Sequence, residues 1–91
     1  MTFTEEELKQ IEQMASLYLS ITDIATILGV WPEELRKQIH IKGNPVAIAY
    51  NRGKTMRKVE LRKQEIQLAQ VGSPLALENA RQALIDMEED E

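Results

Sequence analysis

The sequence predicts an all-α protein: a trihelical helix-turn-helix head over residues 1–43, a long antiparallel two-helix hairpin over 44–87, and an acidic tail over 88–91. Three observations carry that expectation. Apolar residues recur at three- and four-residue intervals along nearly the whole chain. Helix start and stop signals punctuate it at five places. Nowhere does an alternating apolar–polar run last long enough for a strand. Val59-Glu60-Leu61-Arg62 begins such a run, but it ends in Arg62-Lys63-Gln64-Glu65 with no turn residue to bound it.

The first helix is expected over about residues 5–18. Thr4 is its N-cap and Glu7 stands at N3, the spacing of a capping box, while Phe3 and Leu8 stand at the spacing of a hydrophobic staple. Glu5, Glu6 and Glu7 place negative charge at the positive end of the helix dipole. Leu8, Ile11, Met14, Ala15 and Tyr18 then form one apolar face.

A second helix starts at the Ser20 cap, with Asp23 three residues on. Ile21, Ile24, Ala25 and Leu28 share its face, and Gly29 supplies the left-handed stop. Pro32 opens a short third helix as its first helical residue, with Leu35 and Ile39 as the buried pair. The spacing from Ile24 to Ile39 has the layout of a helix-turn-helix. Ala25 is small where two helices cross, Gly29 turns the chain, and Leu28, Val30 and Leu35 fill the wedge. Trp31 reads as a plug of that core in preference to a base-stacking group.

Lys42-Gly43-Asn44-Pro45 breaks the chain and caps a long helix from about Val46 to Val71. At about 100° per residue, Tyr50, Leu61 and Leu68 align within about 20° of one another, and Ile48, Val59 and Ile66 form a second stripe roughly opposite. A helix apolar on two opposite faces needs two partners. These six residues are the expected oligomer contacts, with scattered surface aliphatics as the plainer alternative. Gly53 marks either close packing or a bend. Gly72-Ser73-Pro74 opens the last helix, whose Ala76, Ala80, Ala83, Leu84 and Met87 suit close packing. Five acids among the last six residues oppose its dipole, so that end is expected to fray.

Charge is distributed in three blocks. Residues 1–35 carry −6, residues 36–63 carry +8 and residues 64–91 carry −6, which together leave a net −4. Such blocks suit a polyanion surface, attraction between copies of the chain, or neutralisation within the fold. Arg36, Lys37, His40 and Lys42 cluster at the C-terminal end of the third helix, and Lys54, Lys58 and Arg62 repeat at four-residue spacing on the long helix. These seven are the candidate DNA contacts. A solvated face is the alternative for the long-helix series, and a lone histidine such as His40 is more often an ordinary surface residue than a site. Glu33 and Glu34 stand at the helix end that usually enters a DNA groove. They are either turned away or there to stabilise the dipole, unless the third helix docks by its basic C-terminal end.

With no Cys, disulfides and thiol chemistry are excluded. One His and no Gly-rich phosphate loop or nucleophile triad leave no enzyme constellation, so no catalytic residue, cofactor or metal is expected. No apolar run approaches the roughly 18 residues of a membrane span, and Met1-Thr-Phe-Thr-Glu-Glu-Glu has no basic leader, so the expected location is cytoplasmic.

Ala49-Tyr50-Asn51-Arg52-Gly53-Lys54, then Leu61-Arg62, then Leu68-Ala69-Gln70-Val71-Gly72-Ser73-Pro74-Leu75-Ala76-Leu77, all following a helix-turn-helix, resemble the small terminase subunits of tailed bacteriophages. The resemblance covers about residues 5–87 through short, degenerate motifs. It implies a non-catalytic DNA-packaging factor in the bacterial host cytoplasm. Such a factor binds double-stranded viral DNA, forms homo-oligomeric rings through the central hairpin and regulates a large ATPase/nuclease subunit. Tyr50, Leu61 and Leu68, or the opposite stripe, would then be the ring contact, and Arg36, Lys37 and Lys42 would touch DNA. Two other classes fit the same residues: a structural protein–protein interaction module, and a helix-turn-helix transcription regulator that dimerises through the hairpin.

Overall fold

A computed structural model describes residues 2–91, and among them the regular structure is entirely helical. Five helices follow in order: α1 (Glu5–Ser16), α2 (Ile21–Leu28), α3 (Pro32–Ile39), α4 (Pro45–Gln70) and α5 (Pro74–Asp90). The chain divides into two compact units, Met1–Arg57 and Lys58–Glu91. The first therefore extends past residue 43 and takes in the front of α4.

In the first unit the local signals act as their chemistry requires. The Glu7 N–H donates to Thr4 Oγ1 at 3.1 Å and the Thr4 N–H donates back to Glu7 Oε1 at 2.9 Å, a complete capping box. Ser20 Oγ accepts from the Asp23 N–H, and Asn44 Oδ1 accepts from the Val46 N–H. Ile11, Ile24, Ala25, Leu35, Ile39 and Val46 form the buried cluster, with Phe3, Leu8, Leu28 and Val30 packed around it. Three helices of 8–12 residues are too short to persist alone in water, so this shared core holds them.

α1 stops at Ser16, not near residue 18, and the reason is a backbone motif. The Tyr18 N–H donates to the Ala15 carbonyl and the Leu19 N–H to the Met14 carbonyl, the paired bonds of a Schellman stop. Tyr18 takes the left-handed conformation at φ 59° that the motif demands, so it leaves the apolar face of α1 and stands exposed. The same bond pattern ends α2: the Val30 N–H reaches the Ala25 carbonyl at 3.0 Å around Gly29, whose φ is 73°.

Gly53 marks close packing. A Cβ there would run into the Glu12 carbonyl oxygen and come within 3.0 Å of the Ala15 Cβ, so only hydrogen fits where α4 meets α1. Arg57 Nε donates to the Ser16 carbonyl at 2.8 Å, and Arg52 pairs with Glu12 at 3.1 Å, both reinforcing that approach.

Trp31 is not a core plug. It is 77% exposed, because it is the extended N-cap residue of α3 and its side chain projects away from the wedge that Leu28, Val30 and Leu35 fill. Gln38 is buried instead, at 7% exposure. Its wheel position lies about 60° from Leu35, on the inward face of α3, and its Nε2 donates to Glu34 Oε1 at 3.4 Å.

The second unit comprises the rest of α4 and α5. Ser73 Oγ caps α5 through the Ala76 N–H, and Asn79 Nδ2 donates to Glu65 Oε1 at 2.6 Å, linking the two helices. Among its residues only Ala76 is fully withdrawn from solvent, with Ala80 and Ala83 half-buried. The helix α5 runs through Asp90, so Asp86, Glu88, Glu89 and Asp90 belong to its last turns.

Candidate nucleic-acid interface

The outward face of α3 is set by what its inward face buries. With Leu35, Gln38 and Ile39 turned into the core, Glu33, Lys37 and His40 face solvent. Arg36 is half-buried, and its Nη1 lies 3.7 Å from Glu33 Oε2 in an ion pair one turn apart. Both partners are well solvated, so the pair is screened and yields readily to another anion. His40 donates from Nδ1 to the Arg36 carbonyl at 2.8 Å, which holds the ring at the helix end. Lys42 is exposed in the following loop. These four residues thus share the C-terminal end of α3. The two glutamates part company: Glu33 is exposed, whereas Glu34 is half-buried and holds Gln38.

Lys54 belongs to the same unit, on α4. Its Nζ stands 5.0 Å above the Tyr50 ring, a cation–π contact that steadies the ammonium without neutralising it. Tyr50 itself packs against the core cluster of the first unit. Ile48, Val59, Leu61, Ile66 and Leu68 are exposed, each open over more than two fifths of its surface.

Lys58 and Arg62 lie in the second unit, beside a groove between α4 and α5. One end is lined by Lys58, Leu61, Arg62, Glu65, Asn79 and Asp86. The other has an apolar floor that includes Ile66, Ala83, Leu84 and Met87, with Asp86 and Asp90 on the α5 side. The acidic end of α5 and the basic stretch of α4 thus flank one groove. Spacing along a single helix cannot reveal such a groove, because it depends on how two helices pack; the alternation of Ala80, Ala83, Leu84 and Met87 was its one visible sign.

No group of three or more His, Asp or Glu is placed to hold a metal ion among the described residues, and no described helix is long and apolar enough to cross a membrane. Comparison with protein-family models, curated proteins and solved structures gives no match.

Proposed function

We propose that this chain is a non-catalytic DNA-recognition and assembly factor of the small-terminase kind. In this reading α2 and α3 form a helix-turn-helix head, α4 and α5 form an antiparallel oligomerisation hairpin, and the partner is a large packaging subunit with the ATPase and nuclease. The observation that carries the reading is the α2–Gly29–α3 corner. It is closed by Schellman bonds and an entirely buried Ala25, and it presents Lys37 and His40 outward, with Arg36 and Lys42 beside them. A rigid corner of this kind lets one short helix enter a major groove while its neighbours touch phosphates. The docking end is the basic C-terminal half of α3, since Glu33 would repel phosphates at the other. Lys54, Lys58 and Arg62 extend the cationic surface available to the backbone of DNA.

The reading is tested by fluorescence anisotropy of a labelled duplex across a salt series. Arg36→Ala with Lys37→Ala weakens binding and lowers the salt slope by roughly one for each phosphate left without its cation. Unchanged binding, or none by the parent chain at low salt, removes the head as a DNA reader. A protein-only interaction module is the second reading, and the exposed Trp31 favours it. Under that reading the parent chain binds no duplex at any ionic strength.

A further inference from the structure

Two apolar side chains flank the α2–α3 corner without serving its core. Ile27 is 65% exposed at the end of α2 and Trp31 is 77% exposed at the start of α3. Exposing a tryptophan forgoes burial of some 150–250 Å² of largely apolar surface. The corner that carries them is stiff, so they form a preset knob. Two exposed acids stand beside it: Asp23 one helical turn before Ile27, and Glu33 two residues after Trp31, the latter held by Arg36 in a solvated pair at 3.7 Å that another cation can exchange.

The second unit offers the complementary shape. The apolar end of the groove between α4 and α5 is open to solvent and has a volume of about 710 Å³. Its floor is apolar, with Ile66, Ala83, Leu84 and Met87, and Lys58 and Arg62 stand on its α4 edge. Its α5 edge is acidic, so an acidic knob is attracted to one side and repelled from the other. Charge thus sets the orientation of docking more than its affinity.

We propose that the Ile27–Trp31 knob of one copy seats in the α4–α5 groove of a second copy. This rests on the self-association in the reading above and names a contact for it. Trp31 fills the apolar floor as the central anchor, and Asp23 and Glu33 meet Lys58 and Arg62 at the rim, so that in the assembled state Lys54 and the α3 cluster are the cations left to DNA. Knob and groove are different surfaces, so the contact is heterologous: repeated, it closes into a ring or continues as a filament.

Trp31 is the single tryptophan of the chain, so its emission reports this site alone. As the concentration of the full chain rises through its assembly range, the emission maximum moves to shorter wavelength in step with the higher masses seen by native mass spectrometry. Trp31→Lys and Met87→Asp, both at exposed positions, each weaken association at least tenfold with far-ultraviolet dichroism unchanged. Mixed together, the two variants form a mixed dimer through the one intact knob and the one intact groove. Emission that stays solvent-like in the assembled parent overturns the proposal and leaves self-association standing, as does a Trp31→Lys chain that assembles like the parent. A parent that is monomeric at every concentration removes both. An emission shift produced only by added duplex DNA assigns the knob to nucleic acid and overturns the proposal as well.

Discussion

Tyr18 occupies the left-handed position that ends α1, at φ 59°, where an L-residue with a Cβ is strained by about 1–2 kcal/mol. Its side chain is mainly exposed, so its removal sacrifices little packing. Tyr18→Gly should therefore raise stability by about 1 kcal/mol, net of the greater freedom glycine gives the unfolded chain. Urea unfolding measures this, and a loss of stability would mean that the ring contributes more than the strain costs. Gly53 is the reverse case, since its backbone is ordinary helix and its constraint is space. Alanine there gains up to about 1 kcal/mol of helix propensity, but its methyl collides with the Glu12 backbone, which cannot rotate aside. Overpacking outweighs propensity, and Gly53→Ala should destabilise the chain by about 2 kcal/mol. A neutral result in the same assay would show that α4 can retreat from α1 without penalty.

At the scale of the element, helix starts are set by capping chemistry. The Thr4–Glu7 box satisfies two backbone donors, so Thr4→Ala should cost about 1 kcal/mol, seen as a lower urea midpoint with an unchanged slope. Arg57 bonds the last turn of α1 from α4 through the ε nitrogen of its guanidinium. Arg57→Lys keeps the charge but lacks that rigid donor fork, and should lose about 1 kcal/mol in the same assay. These two interactions differ in how far the sequence reveals them. Caps are local, with Thr4 and Glu7, Ser20, Pro32, Asn44 and Ser73 all within four residues of the backbone they organise, and the five helix starts were legible for that reason. The stop of α1 was not, because apolar spacing continues through Tyr18 while the backbone has already turned. The inward turn of Gln38 was hidden by its polarity, although its place beside Leu35 and Ile39 pointed to the core. The outward turn of Trp31 was hidden by its size. Gly53 announced a constraint, but only the approach of a distant helix could say which kind. Of the candidate site, the basic cluster on α3 was legible from charge and spacing, whereas the groove between α4 and α5 needed two helices in place.

For the whole molecule, the second unit sets the terms of stability. Two helices that fully withdraw only Ala76 have little core of their own, and Leu61, Ile66, Leu84 and Met87 remain largely open to water. If association covers that surface, apparent stability must rise with protein concentration by mass action. Thermal unfolding monitored by helicity over a hundredfold concentration range should show a rising Tm, and Leu61→Asp should abolish the dependence while the first unit keeps its helices. A Tm independent of concentration would identify the second unit as self-sufficient. The charge blocks of −6, +8 and −6 bear on the same scale, because high salt should weaken assembly wherever the acidic and basic blocks of different copies meet.

The boundary between the two units falls inside α4, after Arg57, with Val46, Ala47 and Gly53 buried on the near side of it. The two units are thus joined within a helix and not by a loop. A gene fusion cut at the loop around Gly43 would strip the first unit of Val46 and of the helix that covers Ile11 and Leu35. To transplant the first unit onto another partner, recombination must carry more than three turns of α4 with it. A cut at any loop before α4 therefore divides the first unit from residues it buries, because one uninterrupted helix belongs to both units.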